Sequence, residues 1–386
     1  MIARRLSVRK TLVLVLLAVA LAGLWARYIF PVAQSMYLSG NDFLPQYCGG
    51  KLAFTPDLYN PQRMQQTQQA VAGMSSPVLL YIRLPYFALL YWPLARLPFP
   101  AACAVWQLLS LGALLGFIAL WRPPEPRNTI LATAFFLPPF IAIFNGQDIN
   151  FLLLWIALAA LDLRQDRPFR AGLWFSLCLA KFHLFLLLPI FILGRRAWRF
   201  GGGLCAGGAV LLGIGVLMEG PTWLVRYPAI LADNKINEGP GSMPTLHALL
   251  GYFQADTWVE IVAVAAVAVC LFVIVRRVEL FYALAALLVC GPLLGIHAYV
   301  SDCALLLPAG LTLIVLTRFL VIRILCITVM SPPVLSLLKD GYPHSIAVPV
   351  LLLALFAAMT YEALRIGKKA RVSHFLQTNP SAVAYH

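Results

Sequence analysis

From Thr11 to Leu364 the chain repeats one pattern: an apolar run, a short break carrying Arg or Lys, then another apolar run. A stretch of about 20 apolar residues crosses a bilayer as a helix, because no water inside the hydrocarbon can satisfy the backbone. The pattern therefore restricts the fold to an all-α polytopic membrane protein. Composition agrees, since 61% apolar residues, 11% charged residues and a mean hydropathy of +0.83 leave too little polar surface for a soluble globule. Only one long polar segment interrupts the runs, so residues 1–386 read as a single integral-membrane domain. A net charge of +14 would suggest nucleic acid in a soluble chain. Here the basic residues are divided among the breaks, where they report orientation, and no nucleic-acid partner is expected. Eight cysteines without CxxC spacing, and the absence of a GxGxxG, P-loop or HExxH pattern, give no support to a metal site or a nucleotide donor.

Loops richer in Lys and Arg face the cytoplasm. Arg4, Arg5, Arg9 and Lys10 place the N-terminus inside, and the run from Thr11 to Phe30 is long enough to be an uncleaved first span rather than a signal peptide. Residues 31–99 form the outer loop. Within it, two short surface helices flank the turn Thr55-Pro56-Asp57-Leu58-Tyr59-Asn60-Pro61. Residues 78–99, broken by Arg83, Pro85, Pro93, Arg96 and Pro98, are expected as a helix lying on or dipping from the outer face, with a short span as the alternative. The remaining clusters alternate to give about 12 spans, and residues 365–386 form a cytoplasmic tail. Arg164, Arg167 and Arg170 must share the inner side with Arg195, Arg196 and Arg199, so residues 171–194 make a hairpin with its tip near Lys181-Phe182-His183. Arms of a dozen residues reach only roughly 18 Å, against about 30 Å of hydrocarbon. The tip is thus expected below the membrane surface, lining a water-filled or ligand-filled cavity.

Four polar groups converge on the outer face: Asp42, the turn Asn145-Gly146-Gln147-Asp148, Lys181 with His183, and His297 with Tyr299 and Asp302. An ionisable residue at membrane depth costs roughly 2.5–3.5 kcal/mol on insertion scales, so it is usually kept for a site. Asp42, the first carboxylate of the chain, can take a proton from a hydroxyl brought to the membrane surface, or cap the helix suggested at 43–54. Asp148 can likewise be a cap for the helix that follows it. Lys181 is either a cation for a lipid-linked phosphate or a Lys snorkelling to headgroups. His297 is either a site residue or a satisfied interfacial histidine. Tyr47, Tyr59, Tyr81, Tyr86 and Trp92 form an aromatic belt or stack on sugar faces.

The order Gly40-Asn41-Asp42-Phe43-x-x-x-Tyr47, Leu58-Tyr59-Asn60-Pro61, Pro85 with Trp92-Pro93-Leu94, Asn145-Gly146-Gln147-x-x-Asn150, Leu179-Ala180-Lys181 and His297-x-Tyr299 resembles the polyprenyl-phosphate-mannose-dependent α-mannosyltransferases of glycosyltransferase family 87. These belong to the GT-C superfamily. The resemblance implies a GT-C-type helical bundle in a bacterial inner membrane. It also implies inverting transfer of mannose from a polyprenyl-phosphate donor to a glycolipid or glycan acceptor on the periplasmic side. It makes Asp42 the base and sets Lys181 and His297 near the donor phosphate and sugar. The chain departs from the family where Gly291-Pro292 and Gly295-Ile296 stand in place of a Ser-Pro and a Trp before the His.

The same residues suit that chemistry on their own terms. A lipid phosphate is already a good leaving group, so the protein must supply a base and positive charge for the departing phosphate. Asp42, with Lys181 and Arg83, can fill those roles, and Asn145, Gln147 and Tyr47 complete the expected donor surroundings. No cofactor or divalent metal is required. The competing functions are a transporter or flippase of lipid-linked saccharide, and a ligase or polymerase of lipid-linked glycans. The first is disfavoured by the lack of an inverted repeat in the hydropathy pattern.

Overall fold

The computed structural model describes residues 15–37, 42–73, 79–121, 126–232 and 239–378. Arg4, Arg5, Arg9, Lys10, Thr11, Gly40 and Asn41, all used above, lie outside them. The described residues are helical or in turns, with no strand among them. Among the described residues, four helices are long and apolar enough to cross a membrane: Phe99–Leu120, Trp198–Glu219, Thr257–Arg277 and His344–Ile366. The number rises to six when each of two bent pairs counts as one span. These are Pro168–Phe185 with Leu188–Arg195, bent by 116°, and Leu320–Met330 with Pro332–Asp340, bent by 51°. Several of the about 12 expected spans are shorter helices instead. Pro138 and Pro139 divide the run at 128–144 into Pro126–Phe135 and Pro138–Asn145, because proline cannot continue the preceding helix.

The chain divides into two compact units, Met1–Leu154 with Ala209–Ile236, and Trp155–Gly208 with Asn237–His386. In the first unit, the helices Phe43–Leu52 and Pro61–Ala72 flank the Thr55–Pro61 turn as expected. Asn60 starts the second one by accepting the backbone N–H groups of Gln62 and Arg63, with Pro61 at the first helical position. The first is not a surface helix. Its residues Phe43 to Gly50 are all buried, and two glycines explain how. A Cβ on Gly49 would stand 2.4 Å from the Tyr81 ring, and one on Gly50 would stand 2.6 Å from the Tyr91 backbone.

Residues 79–99 also differ from expectation. Instead of a helix lying on the membrane or crossing it, they run without helix or strand to Leu84 and then make three short helical turns, Pro85–Phe87, Ala88–Tyr91 and Leu94–Arg96. The prolines break the helix, and Tyr81, Phe87 and Tyr91 bury the segment.

In the second unit, glycines bring two helix backbones together: Gly172 meets the Phe200 carbonyl, Gly203 meets the Phe169 carbonyl, and Gly207 meets Ser176. Small residues at a crossing are how apolar helices pack where lipid offers no hydrophobic drive. The helix so anchored, Pro168–Ser176, continues as a tighter turn through Leu177–Phe185, inside which Lys181 leaves helical geometry at φ −125° and ψ 55°. The sharp bend follows at residues 186–187. The buried Glu362 carboxylate accepts from the Tyr282 and Thr317 hydroxyls and the Arg318 N–H, tying three helix ends together.

Candidate functional site

Asp42 immediately precedes the helix Phe43–Leu52, where a cap belongs, yet its side chain makes no capping bond. Its carboxylate turns to the Asn145–Asp148 turn instead. The side-chain amides of Asn145 and Gln147 both donate to Asp42 Oδ2, the latter at 2.5 Å. The capping reading of Asp42 thus has no capping hydrogen bond behind it. The turn owes its shape to Gly146, which ends the helix Pro138–Asn145 in the left-handed region at φ 73°. The Gln147 N–H closes that end on the Ala142 carbonyl at 2.8 Å. A Cβ on Gly146 would lie 2.3 Å from the Phe43 Cβ, so glycine is needed for both conformation and space. Asn150 of the same motif has a structural task, donating to Ser110 and to the Pro139 carbonyl, each at 3.0 Å.

Arg83 reaches the other side of the turn. Its Nε donates to Asp148 Oδ2 at 2.8 Å, and its Nη2 donates to Asp148 Oδ1 at 3.3 Å and to Gln147 Oε1 at 3.4 Å. Arg83, expected as a donor-phosphate cation, is buried and paired with a carboxylate. Its backbone is also held. The Tyr59 hydroxyl donates to the Arg83 carbonyl at 2.7 Å, Tyr81 to that of Leu84 at 3.2 Å and Tyr227 to that of Ile82 at 3.5 Å. Burial pushes the phenols of Tyr59 and Tyr81 far above their ordinary range and that of Tyr227 up to about 12, so all three remain O–H donors. Gln68 pairs with both the N–H and the carbonyl of Leu79. The Tyr47 hydroxyl donates to the Leu97 carbonyl at 2.7 Å, and its ring packs on Phe43 and Phe99.

In the second unit, Lys181 Nζ lies 2.6 Å from Asp302 Oδ1, and both side chains are no more than 3% exposed. Asp302 Oδ2 accepts the Tyr299 N–H at 3.0 Å. The expected cavity-lining tip is thus a buried ion pair. His297 is elsewhere in that unit, on an open cavity of about 180 Å³ shared with His247, Glu260, Met243, Leu246 and Ile296. Burial first, and the neighbouring His247 second, lower its pKa below the ordinary histidine value. His247 Nδ1 pairs with the Glu260 carboxylate at 3.0 Å. No three His, Cys, Asp or Glu side chains among the described residues gather as a metal site.

Sequence reasoning named Asp148 and Asp302 only in passing, and missed Gln68, Tyr227, His247 and Glu260. A Gln within the polar run Gln65-Gln66-Thr67-Gln68-Gln69 carries no local sign that it alone is buried.

The described residues are those of an all-helical membrane protein with a carboxylate held on amides within its one long polar segment. Residues 81–300 match the model of glycosyltransferase family 87, and the chain belongs to that family of membrane glycosyltransferases. No curated protein and no solved structure matches it. The matched range includes Arg83, Asn145, Gln147, Lys181 and His297, and begins after Asp42.

Proposed function

We propose that this glycosyltransferase transfers mannose from a polyprenyl-phosphate donor to the hydroxyl of a glycolipid or glycan acceptor, at the periplasmic face of a bacterial inner membrane. In this reading about 12 passes leave both termini in the cytoplasm. Asp42 is the general base. The acceptor oxygen attacks the anomeric carbon as its proton passes to the Asp42 carboxylate, and the bond from that carbon to the phosphate oxygen breaks to release polyprenyl phosphate. Lys181 and His297 serve the donor phosphate and sugar, as the family resemblance implies. No divalent metal is required by this mechanism.

One observation carries the reading: Asp42 stands where a cap would, but gives its carboxylate to two side-chain amides. Amide donors stabilise the ionised carboxylate and fix its direction, which is what a base must have before a hydroxyl arrives.

The test uses purified protein, polyprenyl-phosphate mannose and a lipid acceptor extract, with released polyprenyl phosphate as the readout. Mannose transfer by the wild type, lost in Asp42→Asn at an unchanged melting temperature, is the expected result. Movement of the intact lipid-linked sugar across vesicles, with no release of polyprenyl phosphate, would identify a transporter instead.

A further inference from the structure

Arg83 and Asp148 are buried together, with 8% and 1% of their side chains exposed. A buried ion pair is weak support for stability in itself, since desolvation offsets most of its attraction. What sets this pair apart is where the guanidinium goes next. Asp148 takes Nε and Nη2, and Nη2 also donates to Gln147 Oε1. A glutamine amide has an acceptor end and a donor end. With a cation on Oε1, the Nε2 end is turned to Asp42, where it donates at 2.5 Å. The opposite orientation would set Oε1 against Asp42 Oδ2, two acceptors facing each other, and would leave an N–H group against a guanidinium.

We infer that Arg83 and Asp148 are positioning residues for the base, the planar fork of Arg83 locking the Gln147 amide so that its N–H groups hold the Asp42 carboxylate. The inference rests on the reading of Asp42 as the base, and it reassigns Arg83 away from the donor phosphate. The backbone around Arg83 suits a fixed part. Tyr59 holds the carbonyl of Arg83 itself, Gln68 pairs with Leu79 earlier in the same segment, and Asp148 is the residue next to Gln147 in the turn set by Gly146. A lysine in place of Arg83 would keep the charge but lose the fork that joins Asp148 to Gln147.

The experiment measures transfer by the full-length protein against pH, at saturating and limiting polyprenyl-phosphate mannose. The wild type is compared with Arg83→Lys, with Arg83→Gln combined with Asp148→Asn, and with Asp42→Asn. The positioning role predicts a similar change in the first two. Donor KM stays within about twofold, kcat falls by about tenfold to a hundredfold, and the acid limb of kcat moves up by about one pH unit as the carboxylate loses a donor. Because Arg83→Lys leaves Asp148 its counter-charge, it keeps the test available if the double variant does not fold. A donor KM that rises with kcat retained in the double variant, and little change in Arg83→Lys, would make Arg83 a phosphate contact and overturn the proposal. So would a lower melting temperature with an unmoved acid limb. Full turnover in Asp42→Asn would remove the base itself, and the proposal with it, a result distinct from both.

Discussion

Two buried ion pairs, Arg83 with Asp148 in the first unit and Lys181 with Asp302 in the second, invite comparison because their charges are alike and their consequences differ. Arg83 presents a fork. After engaging both oxygens of Asp148 it still reaches Gln147, and through that amide the order of the pair continues to Asp42. Lys181 presents a compact point charge to one oxygen of Asp302, whose second oxygen takes the Tyr299 backbone. The partners stand 121 residues apart, so this pair ties a helix break to a distant turn. The contrast follows from side-chain chemistry. Guanidinium geometry transmits orientation, whereas an ammonium anchors. The two pairs should therefore respond differently to substitution.

The largest expected effect lies at the end of the first chain of contacts. Asp42→Asn keeps size and capping ability but loses basicity, so transfer should fall by about a hundredfold to ten-thousandfold with no change in melting temperature. A loss of stability matching the loss of rate would erase the contrast between the two regions. Next comes Asp302→Ala, which leaves the Lys181 ammonium buried without its counter-ion and should cost about 3–5 kcal/mol, read as thermal unfolding in detergent. Combining Lys181→Met with Asp302→Leu should restore much of that stability, since apolar replacement of a buried pair is often neutral. Transfer that also returns would confine Lys181 to the fold, and transfer still lost would keep it at the donor.

Gly146→Ala should cost about 1–3 kcal/mol through its left-handed backbone, with a further loss of turnover as the new Cβ pushes against Phe43 and displaces both amides. Gly146→Asn tests the two causes, because Asn tolerates the backbone angle but not the crowding. Recovery in Asn would show that conformation alone matters. Tyr59→Phe should cost about 1 kcal/mol from the bond lost to the Arg83 carbonyl, measured by denaturation. The smallest effect concerns pH. His297 has a lowered pKa when folded, so the unfolded chain binds the proton more readily. Its contribution is present above the ordinary histidine pKa near 6.5 and is lost as pH falls below it. His297→Gln should flatten that part of the stability profile, and an unchanged slope would assign it to other groups.

The sequence alone determined that this chain lives in a membrane as helices, because hydropathy and proline act within a single run of residues. The helices flanking the Thr55–Pro61 turn, the break around Lys181 and the polar Asn145–Asp148 turn were all legible from such local signals. Family membership was legible too, from the order of motifs between Gly40 and Tyr299, and the family match over residues 81–300 bears it out. Tertiary structure decided the rest. Whether Asp42 caps a helix or offers its carboxylate depends on Asn145, 103 residues away, and Arg83 finds Asp148 across 65 residues. The burial of Phe43–Leu52 and the broken path of 79–99 depend on which surfaces meet at Gly49 and Gly50. In a chain this apolar, hydropathy marks lipid-facing and protein-facing residues alike. Only the packed structure separates them, and with that it decides which distant polar groups meet.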